Sequence, residues 1–168
     1  RSSSNDPLFA SQWHLHKQTD VGVNAPAAWD AGYTGRGITI GVVDDGLQHE
    51  HPDLKLQYAA GDSWNCNGAS SVLPTHGTEC AGVCCARRNN HICGSGVCPD
   101  CKVAGLRTIA GPVTDLTESS ALSHHSLDIY SCSWGPMDDG YRLDGPGHLL
   151  KTTFAQQTQR GRNGKGSI

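Results

Sequence analysis

The sequence has no long apolar run: nothing approaches the roughly 18 consecutive apolar residues that a membrane-spanning helix needs, so no membrane segment is expected in these 168 residues. It also has little net charge. Thirteen Lys and Arg stand against 16 Asp and Glu, a formal charge of −3, and the basic residues form no block. No nucleic-acid partner is therefore expected, because that needs a basic face. Internal repeats and low-complexity stretches are missing too, which leaves a single domain as the simplest organisation for this length. Arg1-Ser2-Ser3-Ser4 opens the chain without a signal-peptide pattern, so an exported protein would be met here in mature or excised form.

What is plentiful is glycine and cysteine, 21 and 8 residues respectively, with 8 prolines. The glycines sit where apolar runs end, as in an α/β domain with tight strand-to-loop turns. Eight cysteines favour an oxidising compartment, either the secretory pathway or the exterior. Their spacing assigns no pairing, since Cys84 and Cys85 are adjacent and Cys98-Pro-Asp-Cys101 is a lone CxxC. A zinc reading would draw on His91, Cys93, Cys98 and Cys101, although one CxxC without a second pair is a weak zinc signal.

Asn24 before Ala25-Pro26-Ala27-Ala28-Trp29-Asp30-Ala31-Gly32 predicts a short helix with an asparagine N-cap and a glycine stop. The β-branched run 37–43 predicts a buried parallel strand ending on Asp44-Asp45-Gly46. Segments 102–107 and 127–132 read as further strands, and 76–87, 114–125 and 145–160 as helices. Strands alternating with helices mean an α/β fold, a parallel sheet with helices on both faces. Chemistry in such sheets gathers at the carboxyl ends of the strands.

Asp44 and Asp45 stand at such an end. One of them could simply cap the turn before Gly46. Alternatively, Asp44 could accept the Nδ1 proton of a histidine whose Nε2 then serves as a base. His76 is the candidate, opening a helix whose positive end should hold its imidazole neutral; on its own it could equally be a surface histidine. Between Arg107 and Asp144 lie Asp115, Glu118, Asp128, Asp138, Asp139 and Asp144. Clustered acids suit a solvated face or a cleft that takes cationic side chains.

Val43-Asp44-Asp45-Gly46, His51-Pro52-Asp53-Leu54 and His76-Gly77-Thr78-x-Cys80-Ala81-Gly82 resemble the aspartate and histidine motifs of the subtilases, peptidase family S8. Asp45, Cys80 and Ser133-Trp134-Gly135-Pro136-x-Asp138-Asp139-Gly140 with Asp144-Gly145-Pro146 are similar to the kexin/furin, or proprotein convertase, branch. The resemblance runs from Asn5-Asp6-Pro7 to Gly166-Ser167-Ile168. It implies a subtilisin-like three-layer fold, incomplete at the C-terminus, with residues 1–168 the N-terminal portion of a single catalytic domain. It further implies a serine endopeptidase in which Asp44 orients His76 as general base. The nucleophilic serine and oxyanion asparagine would lie beyond Ile168, so the fragment alone should be inactive. The expected partners are polypeptides with basic residues before the scissile bond and the enzyme's own inhibitory propeptide.

By the same resemblance Asp138 lines the S1 pocket, Asp45 the S2 pocket, and Glu118 and Asp144 the S4 pocket. Val113 and the backbone of Ser133, Trp134 and Gly135 pair with the extended substrate. Leu73, Pro112 and Met137 stand where the family has acids, which implies retained arginine preference at P1 and weaker discrimination upstream. Calcium is the implied cofactor, held by the side chains of Asp6, Asp53 and Asn90 and the carbonyls of Arg87, Ile92 and Gly94. A second acidic calcium loop looks lost, shortened to residues 65–71. Cys93 resembles a family cysteine whose partner lies past Ile168. Two alternatives remain: a non-catalytic short form acting as a binding or decoy module, and a small zinc or redox protein. A sheet cut short should leave an apolar edge, so the isolated 168 residues are expected to aggregate or to be marginally stable.

Overall fold

A computed structural model describes residues 3–17, 21–68, 73–124 and 126–168. Its centre is β1, Thr39–Asp44. This strand pairs in parallel with β3, Lys102–Arg107, on one side and with β4, Ile129–Ser131, on the other. A two-residue strand, β2 (Trp64–Asn65), adds to β3, giving the order β2-β3-β1-β4. Ile168 lies against the free edge of β4, accepting from Tyr130 N at 2.7 Å and donating to Asp128 O at 3.0 Å.

Strand alternation sends the two sets of side chains to opposite faces. Ile40, Val42 and Val103 pack with Leu54, Ala81, Cys85 and Cys101 beneath α2, His76–Cys85. Val43, Ala104 and Leu106 pack with Ala121, Leu122, Leu127 and Leu150. That second layer is made by α3, Asp115–Ala121, and α4, His148–Gly164. Helices therefore cover both faces, as the alternation of strands and helices predicts. A third cluster, Phe9, Leu15, Ala25 and Trp29, fastens the N-terminal arm to α1, Ala25–Asp30.

Some expectations need correction. Asn24 does precede α1, but it sits in the left-handed region (φ 56°) with no side-chain cap bond. Its carbonyl instead accepts from Ala27 N at 3.1 Å. The helix stops at Gly32 with φ 90°, as expected for a terminating glycine. β4 is shorter than 127–132. α4 starts three residues later than expected and breaks at Gly161–Asn163, where Arg162 and Asn163 turn left-handed. There Arg162 Nε reaches Asp128 at 3.1 Å.

Carboxylates close two helix ends that their own N-caps leave open. Gly147, the N-cap residue of α4, has no side chain to offer, and Asp115 from α3 accepts from Leu149 N and Leu150 N at 2.8 and 2.9 Å. The other case lies at the start of α2, within the candidate site.

Candidate active site

Asp44 ends the central strand and has no exposed surface. A buried carboxylate must find donors, and two converge on it. Asp45 N donates to Oδ1 at 2.7 Å. His76 Nδ1 lies 2.9 and 3.0 Å from the two carboxylate oxygens. Since an ionised carboxylate only accepts, Nδ1 carries the proton and Nε2 is left as the basic nitrogen. The His76 side chain is 53% exposed, so the ring is anchored at one end and open at the other.

The two aspartates divide the roles that the sequence left open. Asp44 holds the histidine, and Asp45 caps the helix that carries it. Thr75 precedes α2 without a side-chain cap bond. Asp45 Oδ2 accepts from Thr75 N and His76 N at 3.1 and 3.2 Å, and Oδ1 accepts from Gly77 N at 2.8 Å. Such a close approach needs glycine at 77. A Cβ there would lie 2.2 Å from Gly46 O and 2.9 Å from both Asp44 Cβ and Asp45 Oδ1.

The expected electrostatic balance at His76 is reversed. The hydrogen bond that His76 donates to Asp44 raises its pKa above the ordinary 6.5, and the charges of Asp44, Asp45 and Glu79 act the same way. Asp45 places a full negative charge at the helix end, where the bare dipole alone would have favoured the neutral ring. A pKa raised on folding means that protonated His76 stabilises the fold below about pH 6.5. That contribution fades as pH rises through the raised value.

A groove of about 440 Å³ is lined by Val113, Glu118, Trp134, Gly135 and Asp144, together with Cys132, Leu122 just past α3, and Leu150 and Phe154 of α4. Five of the sequence-predicted binding residues thus meet. Trp134 ties this wall to the dyad, because its Nε1 donates to Val43 O at 2.7 Å, one residue before Asp44. Ser133 and Asp138 are exposed and outside the groove lining. Inside it, burial raises the pKa of Glu118, with the charges of Asp115 and Asp144 adding to the effect. The remaining acids are engaged locally. Asp128 accepts from Thr39 N at 2.8 Å, and Asp139 accepts from Tyr141 N and Arg142 N. Leu73 and Met137 are exposed.

Asp6 and Asp53 are both buried and both meet the loop after α2. Burial alone would raise the pKa of Asp6, but hydrogen bonds from Ser4, Ser95, Asn89 N and Asn90 N hold it below the ordinary carboxylate value. Asp53 is poorly compensated. Asn90 Nδ2 donates to it at 2.6 Å, yet burial, with the Asp6 charge adding, raises its pKa. Among the described residues no ion pair forms on either acid. Two neighbouring buried acids with an amide beside them form a donor set that suits a hard divalent cation. Residues 65–68 of the shortened loop close on themselves through Asn65 Nδ2 to Gly68 O at 2.7 Å; residues 69–71 lie outside the described residues. The zinc reading fails on geometry. The cysteine and histidine atoms of His91, Cys93, Cys98 and Cys101 do not converge. Among the described residues the one three-ligand group is Asp44, His76 and Cys80.

Replacing Asp45 removes the acceptor of three backbone N–H groups. Asp45→Ala should therefore destabilise the protein by about 1–2 kcal/mol, with the loss concentrated at the start of α2. Hydrogen exchange at His76–Thr78 checks this; unchanged protection there would mean that the helix end is held by something else.

The sequence model of the subtilase family matches residues 35–168. The chain is 43% identical over 182 residues to neuroendocrine convertase 2 of Homo sapiens, covering 98% of this chain and 28% of that protein. It is also 43% identical over 174 residues to the dibasic-processing endoprotease of Schizosaccharomyces pombe, covering 98% of this chain and 24% of that one. The chain thus spans about a quarter of the length of these relatives. Among solved structures, the Aeromonas sobria serine protease in complex with the chaperone ORF2 superposes with a TM-score of 0.79 at 24% identity, over 99% of this chain and 32% of that one. A protease from Pseudoalteromonas arctica superposes with a TM-score of 0.74 at 22% identity, over 92% of this chain and 55% of that one. The parallel three-layer sheet is theirs as well. With the family match running from Gly35 to the last residue, the chain belongs to the subtilase family and aligns along nearly all its length with convertases and dibasic-processing endoproteases.

Proposed function

We propose that this chain contributes the aspartate and histidine of a serine endopeptidase that cleaves proproteins after basic residues in the secretory pathway or outside the cell. The observation that carries the reading is the doubly anchored contact between fully buried Asp44 and His76 Nδ1. Asp44 fixes the tautomer and the ring plane, and stabilises the imidazolium formed when Nε2 takes the proton of a nucleophilic hydroxyl. The serine that supplies that hydroxyl, and the asparagine that stabilises the oxyanion, belong to the protein outside these residues.

Support for basic substrates comes from the groove. Glu118 has its charge disfavoured by burial, by Asp115 and by Asp144, so an arginine or lysine of a peptide would relieve a standing repulsion. Val113 and Ser133–Gly135 offer backbone along the groove mouth for an extended peptide. Asp138, exposed beside this wall, is assigned to the P1 arginine. Asp45 lends negative charge next to P2, although its oxygens already hold three N–H groups. A propeptide occupying the same groove before activation is the second partner, in line with the chaperone bound to the Aeromonas sobria protease.

Calcium is the cofactor the donor set fits. Asp6, Asp53 and Asn90 would hold it, with the carbonyls of Arg87, Ile92 and Gly94. Its part is to neutralise the two buried acids and fasten the arm to the loop after α2.

Two tests follow. In the complete enzyme, Glu118→Gln and Asp144→Asn should each raise KM by about 2- to 5-fold for peptides with upstream basic residues and leave kcat near its parent value. Profiles on Arg-Arg, Lys-Arg and Ala-Arg peptides would contradict the assignment if the variants lost cleavage of all three equally. Calcium removal should lower the thermal midpoint of the parent. In calcium-free solution near pH 7, Asp53→Asn should be at least as stable as the parent, because it deletes a charge that burial disfavours. A variant that is less stable and still responds to calcium would place the cation elsewhere.

A further inference from the structure

Five of the eight cysteines crowd one corner, where the last turns of α2 meet the residues leading into β3. Cys85 and Cys101 are both fully enclosed in the core under the sheet. Their sulfurs are 2.9 Å apart, the Cys101 thiol donating to Cys85, across 16 positions of sequence. Backbone hydrogen bonds fix that approach. Gly96 N donates to Ala86 O, Val97 N to Val83 O and Cys98 N to Cys84 O at 2.8, 3.0 and 2.8 Å, and Cys101 N donates to Cys98 O at 3.1 Å. The segment 96–101 is thus zipped along the end of α2.

Cys98 is partly exposed, as are Cys80 and Cys84, and it is the one of the three whose thiol hydrogen-bonds to that of Cys101. Gly35 makes room for it, since a Cβ there would lie 2.0 Å from Cys98 Sγ and 3.2 Å from Cys101 Cβ. A metal would need several sulfurs facing one point as thiolates, and no such group of cysteines exists among the described residues. The hydrogen bond to Cys101, then burial, pushes the Cys98 thiol well above the usual range. The hydrogen bond to Cys85 and burial do the same for Cys101, against an opposing bond with Cys98. Cys98 is thus an entry point by position, and it attacks slowly through a small thiolate fraction. Enclosed neutral sulfurs in near contact suit a neutral covalent bond.

We propose that Cys85 and Cys101 form a disulfide, and that Cys98 is the thiol through which oxidation reaches this enclosed pair. The oxidant is a disulfide RSSR, a small molecule or a protein of an oxidising compartment. Cys98 attacks it, giving a mixed disulfide and one RSH. Cys101 attacks the Cys98 sulfur, giving Cys98–Cys101 and a second RSH. Cys85 then attacks the Cys101 sulfur, closing Cys85–Cys101 and returning Cys98 as a thiol. In total two protein thiols lose two hydrogens and two electrons to RSSR, which leaves as two RSH. The link closes residues 86–100, the loop whose N–H groups at Asn89, Asn90 and His91 hold the Asp6 carboxylate. It therefore clamps the attachment of the N-terminal arm, independently of any catalytic reading.

The test is non-reducing peptide mapping of the full chain secreted from a eukaryotic host. Cys84→Ala and Cys98→Ala variants separate the neighbouring sulfurs. The expected result is a Cys85–Cys101 link in the parent and in both variants. After reduction, re-oxidation by glutathione disulfide should be at least about ten-fold slower in Cys98→Ala, since the enclosed sulfurs lose their accessible entry point. Reductant should lower the parent's thermal midpoint by about 6–12 °C for a loop of this size. The Cys85→Ala/Cys101→Ala variant should melt at the lower value with or without reductant. Free alkylatable Cys85 and Cys101, a final Cys98–Cys101 link, or stoichiometric zinc would overturn the assignment. Unslowed re-oxidation of Cys98→Ala would overturn the role of Cys98.

Discussion

The structure is organised around one buried charge. Asp44 closes a strand paired on both sides, has no exposed surface, and finds its donors in Asp45 N and His76 Nδ1. An ionised carboxylate in that position is tolerated only when such bonds are made with good geometry. The histidine must therefore arrive at one place, and α2 has to begin there. Asp45 caps the helix at that place, and Gly77 lets its first turn come within reach of the strand end. Remove the demand of Asp44 and nothing requires His76 to be held by one nitrogen with the other left open.

Carboxylates act as fasteners elsewhere by the same physics. Asp45 gathers the N–H groups opening α2, Asp115 those opening α4, and Asp6 those of the loop at 89–91. Each joins two segments distant in sequence, where an ordinary N-cap joins neighbours. Of the acids between Arg107 and Asp144, Glu118 and Asp144 line the groove and Asp138 is exposed beside it. An acidic stretch that reads as one feature in the sequence thus separates into structural acids and acids free to meet a ligand.

Much of the fold was legible in the sequence. The β-branched run of β1 and the apolar run of β3 permit little but buried strands, and both appear where expected. β2 was not legible, because Trp64–Asn65 is exposed and too short to carry a pattern, and it exists through the open edge of β3. The choice between capping and orienting for Asp44 and Asp45 was in fact readable from alternation. Asp44 falls on the same side as Ile40 and Val42, the side covered by α2. At His76 the electrostatic shift runs opposite to the one the helix dipole implies, because the dipole considered alone omits the carboxylates that orient the ring and cap the helix. Asp115 stands in the first turn of its own helix, and nothing local in the sequence announces that it reaches another.

The most direct test of the central contact is the titration of His76 by nitrogen and proton NMR, in the parent and in Asp44→Asn. The account predicts a parent pKa above 6.5 with the proton of the neutral ring on Nδ1. In the variant the pKa should fall and the preference for that tautomer should be lost. A parent value at or below 6.5, or a value that Asp44→Asn leaves unmoved, would contradict it.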